Sequence, residues 1–266
     1  MSDHQLKPGK EIKLSELATD GKQFAESRKA AEKEFEKLRE ELIELQTAMY
    51  AENKHKLLIV FQAMDAGGKD GTIRKVFKGV NPQGVRVSSF KAPSKEELAH
   101  DYLWRVHKVV PARGMIGVFN RSHYEDVLVV RVENIVPEKV WRKRYEQINE
   151  FEELLSESGT KILKFFLHIS LDEQKERFQD RIDVPSKNWK FSMEDLEKRK
   201  KWSDYMEAYE EMLIQCTTEC APWHVIPANQ KWYRNLAITK AMVGALKELD
   251  PQYPEQKDDL SNVVIE

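Results

Sequence analysis

The densest chemistry in the chain lies in ten consecutive residues, Ala63-Met64-Asp65-Ala66-Gly67-Gly68-Lys69-Asp70-Gly71-Thr72. A continuous apolar run, Leu57 to Phe61, leads into them, and a helix is expected from about Thr72. Strand, glycine-rich turn and helix N-terminus, in that order, aim several backbone N–H groups at one point and so bind phosphate. Gly67 and Gly68 permit the tight turn and the close approach of phosphate oxygens, while Gly71 and Thr72 open the helix. Lys69 adds a mobile point charge for a transferring phosphoryl group. A plain tight turn with one exposed lysine has the same residue types, and it is the strand before and the helix after that favour phosphate. Ala63 stands where the usual loop begins with glycine, and Asp70 where Ser or Thr follows the lysine. Asp65 places a carboxylate inside the loop, where it repels a phosphate chain unless a cation intervenes. Magnesium, or manganese in its place, takes carboxylate and phosphate oxygens together. A general-base role for Asp65 is less apt, because a terminal phosphate acceptor is already ionised near pH 7.

A second apolar run, Gly114 to Phe119, ends in Asn120-Arg121-Ser122-His123-Tyr124-Glu125-Asp126. The strand beside a phosphate loop commonly ends in a carboxylate that holds magnesium. Asn120 takes that place here, with Glu125 and Asp126 just beyond, so Asp65 and Asp126 are the candidate metal ligands. Arg121 suits planar contact with phosphate oxygens, a surface salt bridge being its ordinary alternative. Arg74, Lys75 and Lys78 follow the loop, and the four-residue spacing of Arg74 and Lys78 puts them on one helix face. Three cations exceed the needs of one nucleotide but suit a long phosphate chain, although solvated helix surface has the same composition. Cys216, Cys220 and His224 are spaced by four, but Pro222 breaks the helix that would align them for zinc.

The elements that must position these residues follow from periodicity. Phe35, Leu38, Leu42, Leu45 and Met49 recur at helical spacing, giving a helix to about Asn53. Leu57–Phe61, Arg86–Phe90, Met115–Phe119, Ile162–Ile169 and His224–Ile226 are strand candidates separated by helical patterns. That alternation predicts an α/β fold with a parallel sheet covered on both faces. Arg181 to Phe191 has loop composition and precedes a helix capped by Ser192, with Asp195 at the capping-box position. The expected organisation is a polar arm over 1–25, one domain over 26–250 with a lid at about 181–214, and a polar tail over 251–266. The formal net charge is −2, yet Lys69 to Arg131 holds twelve Lys and Arg against six Asp and Glu. A local basic zone in a mildly acidic chain points to a polyanion bound at one place rather than nucleic-acid coating. No apolar run is long enough to span a bilayer, and the first twenty residues lack a signal-peptide core, so a cytoplasmic protein with no membrane partner is expected.

These segments together resemble the second family of polyphosphate kinases. The phosphate loop, Asn120 through Val132, Arg181 through Phe191, and Phe90-Lys91-Ala92-Pro93 with His100 to Arg105 all carry the likeness, which covers roughly residues 30 to 250. The resemblance implies a three-layer phosphate-loop kinase fold, thymidylate-kinase-like, with a five-stranded parallel sheet and a helical lid. It implies magnesium-dependent transfer between inorganic polyphosphate and adenine nucleotides, guanine nucleotides being a further acceptor class, and a homodimer or homotetramer. Carried across, the family's catalytic residues fall on Asp65, Lys69, Arg121 and Arg181, with Arg131 among the phosphate contacts. The Asn-Arg-Ser-His-Tyr-Glu-Asp segment is similar to the subclass that accepts AMP as well as ADP, which makes Asn120 and Glu125 candidates for acceptor discrimination. Two rival readings are an ATP-dependent nucleoside monophosphate kinase and a non-catalytic polyanion-binding protein. Asp65, Asp70 and the basic helix weigh against the first, and the set Lys69, Arg121 and Arg181 against the second.

Overall fold

The computed structural model describes residues 4–256 and 265. Its strands are β1 (Lys56–Gln62), β2 (Val85–Ser89), β3 (Ile116–Asn120), β4 (Thr160–His168) and β5 (Trp223–Pro227). They form one sheet in the order β2-β3-β1-β4-β5, with every neighbouring pair parallel. The helices are α1 (Arg28–Glu52), α2 (Lys69–Val76), three short turns α3 (Lys95–Leu98), α4 (Trp104–His107) and α5 (Val129–Val132), then α6 (Glu138–Glu157), α7 (Leu171–Asp183), α8 (Met193–Lys200), α9 (Trp202–Gln215) and α10 (Lys231–Leu249).

β1 is buried from Leu57 to Gln62 because helices cover both of its faces. Leu57, Ile59 and Phe61 face the cluster shared with α1, α2 and α10, whereas Leu58 and Val60 face the one shared with α6 and α9. The result is the three-layer arrangement that the alternation of elements predicts. α1 starts where the Ser27 hydroxyl accepts from the Ala30 N–H at 3.1 Å, and ends at Asn53, which takes the left-handed conformation.

Three expectations need correction. α2 begins at Lys69, not near Thr72, because Gly68 turns at φ 101° and serves as its N-cap. α2 also ends at Val76, so Lys78 lies beyond the helix and does not share a face with Arg74. Ser192 caps α8 through the Glu194 N–H at 3.2 Å, while the Asp195 carboxylate accepts from Arg181 at 3.0 Å instead of closing a capping box.

The residues before α1 hold two 3-10 turns, Leu14–Glu16 and Lys22–Phe24, and are docked. Leu6 donates to Trp223 O at 2.8 Å and Val225 to His4 O at 2.9 Å, which covers the β5 edge. The lid span comprises the end of α7, a 3-10 segment Pro185–Lys190, α8 and α9. Most of the expected C-terminal tail lies outside the described residues. Among those described, no helix is long and apolar enough to cross a membrane.

Candidate active site

β1 ends in the centre of the sheet, and the turn that follows it brings the chain back into α2. Ala66 and Gly68 adopt positive φ, 61° and 101°, and Gly67 donates to Met64 O at 2.9 Å. A side chain on Gly67 would put its Cβ 2.5 Å from Ala63 Cβ and 2.8 Å from Met64 O, so the turn closes only on glycine. Lys69 is buried, and its Nζ donates to Ala63 O at 2.7 Å across the loop. Burial, with help from the nearby Arg121, pushes its pKa down to about 8 against the pull of Asp65 and Glu125.

β3 delivers the second loop. Arg121 takes φ 62°, an uncommon conformation for arginine, and its N–H donates to Phe61 O at 3.1 Å. Its guanidinium thereby reaches Asp65 at 2.7 Å and Glu125 at 3.4 Å. Lys198, from lid helix α8, reaches the other oxygen of Asp65 at 3.5 Å. Burial alone would raise the Asp65 carboxyl, but Arg121, Lys69 and Lys198 outweigh it and hold the group below its usual value. Burial likewise opposes charge on Arg121, and Glu125 and Asp65 more than compensate, so it stays protonated at any working pH. Asn120 donates to Asp70 at 2.6 Å, tying the end of β3 to the first turn of α2.

Tyr205 and Tyr209 of α9 close the space over Asp65, Arg121 and Glu125, leaving a cavity of about 20 Å³. That volume admits one water and no nucleotide. A larger cavity, about 740 Å³, lies beside the N-terminal arm, α1 and α10 and is lined by none of these residues.

Asp65, Gly67, Gly68, Lys69, Asp70, Gly71 and Thr72 are in one loop and helix start, and Asn120, Arg121 and Glu125 are brought to it. Six other candidates are not. Arg131 points into the α6–α9 side of the molecule, donating to Glu211 at 2.5 Å, Glu207 at 2.9 Å and the Tyr145 hydroxyl at 3.2 Å. Asp126 is held by Arg144 at 2.8 Å, and burial pushes its carboxyl up to about 6. Its carboxylate is engaged by Arg144 and makes no hydrogen bond or ion pair with a residue of the phosphate loop among the described residues. Arg181 is paired with Asp195 and also donates to Lys190 O at 3.1 Å, so it flanks the site without entering it. Lys75 lies 3.5 Å from Glu36 and over the Phe35 ring, while Arg74 and Lys78 are exposed.

Sequence reasoning passed over four residues that shape the site. Arg177 donates to Ala66 O and Gly67 O at 2.9 and 3.0 Å, and to Ala228 O and Asn229 O at 2.6 and 3.2 Å, bracing the loop against the end of β5. Gln174 donates to Asp65 O at 2.9 Å. Arg234 lies against Gly68, where a Cβ would meet its Nη1 at 2.2 Å. Only Lys198 had a signal, the basic run Lys198-Arg199-Lys200-Lys201 that follows the Ser192 cap.

A phosphate loop on the central strand of a parallel sheet, an arginine from the adjacent strand and a lid bearing cations define a phosphate-loop kinase. The family model described as Polyphosphate kinase 2 matches residues 25–254, and the chain belongs to that family. The chain is 53% identical over 267 residues, covering the whole of both proteins, to an AMP/ADP-polyphosphate phosphotransferase of Meiothermus ruber. It is 46% identical to an ADP-polyphosphate phosphotransferase of Rhodopseudomonas palustris, over 93% of this chain and 90% of that one. The crystal structure of polyphosphate kinase 2 from Arthrobacter aurescens TC1 matches with a TM-score of 0.92 at 41% identity, covering 96% of this chain and 92% of that chain.

Proposed function

We propose that this protein moves the terminal phosphoryl group of inorganic polyphosphate onto AMP and onto ADP, reversibly, leaving the donor one phosphate shorter. The observation that carries this reading is the cluster beside the phosphate loop, in which Asp65, Arg121, Glu125 and Lys198 converge within 3.5 Å contacts. Likeness over the full length to a protein named for both acceptors supports AMP as well as ADP.

An oxygen of the acceptor's terminal phosphate attacks the donor's terminal phosphorus. The bond to the bridging oxygen breaks, and its electron pair leaves on the shortened chain. The attacking oxygen is already ionised near pH 7, so no base is needed. Catalysis is then positioning and charge neutralisation. Lys69, charged in most molecules near pH 7, turns from Ala63 O to the migrating phosphoryl group. Arg121 spans acceptor and donor oxygens, and Glu125 sets the depth at which an acceptor phosphate meets it. Arg181, released from Asp195, is the lid cation positioned to follow, and lid closure excludes water.

Asp65 and Glu125 supply hard oxygen donors that fit magnesium, with manganese as a substitute, since magnesium commonly uses one or two carboxylates and fills its shell with phosphate oxygens and water. When bound it neutralises phosphate charge. A cytoplasmic homodimer or homotetramer fits this role, and light scattering of the purified protein reads the assembly.

The test is turnover with long-chain polyphosphate and magnesium, offering AMP, ADP, GMP and GDP separately, with Lys69→Ala and a metal-free sample as controls. ADP and then ATP formed from AMP are expected. Transfer from ATP to a monophosphate with none from polyphosphate would sink the proposal.

A further inference from the structure

The cavity of about 740 Å³ stands apart from the phosphate loop. The first residues of β4 and β5 line it, whereas the loop follows the last residue of β1 in the same parallel sheet, so the two lie at opposite edges. Its other walls are the arm before α1, the start of α1 and one face of α10. A volume of this size is typical of small-molecule sites, which span about 300–1,000 Å³.

The helical walls are apolar and cut back. Ala30 and Ala31 of α1 line the cavity, as do Ala237, Ala241 and Gly244 of α10. A Cβ on Gly244 would meet nothing within 4 Å, so no close approach asks for glycine there. Glycine inside a helix is destabilising relative to alanine, and what it leaves at this position is room.

His224 gives the cavity a buried acceptor. It is 3% exposed, and its Nδ1 lies 3.3 Å from Lys164 O. A carbonyl oxygen only accepts, so Nδ1 carries the proton. Nε2 keeps a lone pair and has no hydrogen-bond partner among the described residues. Burial holds the ring neutral near pH 7, its pKa pushed down to about 4. An occupant must therefore bring a donor.

The rim selects charge. Lys161 pairs with Glu248 at 2.7 Å and Lys240 with Glu34 at 3.1 Å. Glu26 and Glu219, also on the rim, are exposed and have no ion pair among the described residues, which leaves a surplus of two negative charges. Phe24 is exposed and stacks with Tyr233 at 5.6 Å, adding an aromatic wall that favours cations. Phosphate-bearing ligands are repelled here, so this is not a second place for polyphosphate or nucleotide.

We propose that the cavity binds an aliphatic di- or polyamine, its methylene chain along the small residues of α1 and α10, its ammonium groups meeting Glu26 and Glu219, and one N–H donated to His224 Nε2. The site stands on its own geometry and does not depend on the phosphoryl-transfer reading.

The test is calorimetric titration of the purified protein with spermidine, without polyphosphate, nucleotide or magnesium, because polyanions bind polyamines directly. One-to-one binding is expected, with none for butane-1,4-diol or AMP at the same concentrations. Glu26→Gln/Glu219→Gln should weaken spermidine about tenfold and flatten its salt dependence. Gly244→Leu fills the cavity, leaves every polar group in place and should abolish binding. His224→Leu should weaken it about fivefold. Asp65→Asn, at the phosphate loop, should leave the affinity within about twofold. Urea unfolding shows which variants are folded, and the glutamate pair and Gly244→Leu decide the matter where His224→Leu folds poorly. No binding at millimolar spermidine overturns the proposal. So does binding that survives both the glutamate pair and Gly244→Leu, that falls only with Asp65→Asn, or that butane-1,4-diol matches. Absence of binding together with a smaller particle for Gly244→Leu in light scattering would instead show that a second copy of this chain covers the cavity.

Discussion

Lys69 and Glu125 carry opposite kinds of information at the site. Lys69 contacts the loop itself, bonding Ala63 O, and its charge is useful chiefly where negative charge develops during transfer. Lys69→Ala is therefore expected to lower kcat about 10²- to 10³-fold with smaller changes in KM, measured by initial rates with polyphosphate and ADP. A loss seen wholly in KM would assign it to ground-state binding. Glu125 meets Arg121 at 3.4 Å under Tyr205 and Tyr209. Glu125→Gln keeps the shape and removes the charge that orients Arg121, so the ratio of AMP to ADP turnover should change by about tenfold, and an unchanged ratio would refute its discriminating role. Both residues were legible in the sequence because each lies in a short loop after an apolar run. Arg131 and Asp126 misled for the same reason: nearness to Arg121 along the chain is not nearness in space. Gln174, Arg177 and Arg234 were illegible because helices more than a hundred residues downstream bring them to the loop.

At the scale of elements, the second loop rests on a buried ionic network between β4 and α6. Lys164 donates to Glu152 at 2.5 Å, to the Tyr124 hydroxyl at 2.8 Å and to Cys216 O at 2.6 Å, and the first two partners are themselves bonded at 2.7 Å. His123 lies 3.2 Å from Glu152 and is part of this support. Lys164→Met leaves Glu152 as an uncompensated buried charge and should cost about 3–5 kcal/mol in urea unfolding. Adding Glu152→Leu should recover a large part of that loss. A double variant no more stable than Lys164→Met would show that packing, not charge, holds the loop. The strand Ile162–Ile169 was readable from its apolar run, yet the lysine inside it gave no hint of its partner. Four of the five strands were legible because a parallel sheet covered on both faces writes continuous apolar runs, whereas the edge strand β2, Val85-Arg86-Val87-Ser88-Ser89, has no such run and is largely exposed. The start of α2 was not, since the left-handed turn at Gly68 sets it, and neither was the docked arm, which depends on pairing with β5 more than two hundred residues away.

For the molecule as a whole, burial of histidines sets the response to acid. His224 in β5 is 3% exposed, and burial, reinforced by His4, Lys161 and Lys164, pushes its pKa down to about 4. Burial also lowers His168 and, against Glu152, His123. A group whose folded pKa lies below its unfolded value of about 6.5 costs nothing above that value, and costs stability as pH falls toward the folded one, because the unfolded chain takes the proton first. Asp126, pushed up to about 6, acts in the opposite sense and offsets about 1 kcal/mol by pH 5. The net slope is thus a sum of opposed parts, and a difference between variants isolates one of them. His224 alone accounts for about 2 kcal/mol of lost stability between pH 7 and pH 5. His224→Gln, which keeps a donor for Lys164 O, should lose about that much less than the unmodified protein over this interval in urea unfolding. Parallel losses in the two proteins would mean that His224 takes up its proton without unfolding, and that β5 and the docked arm yield locally to acid.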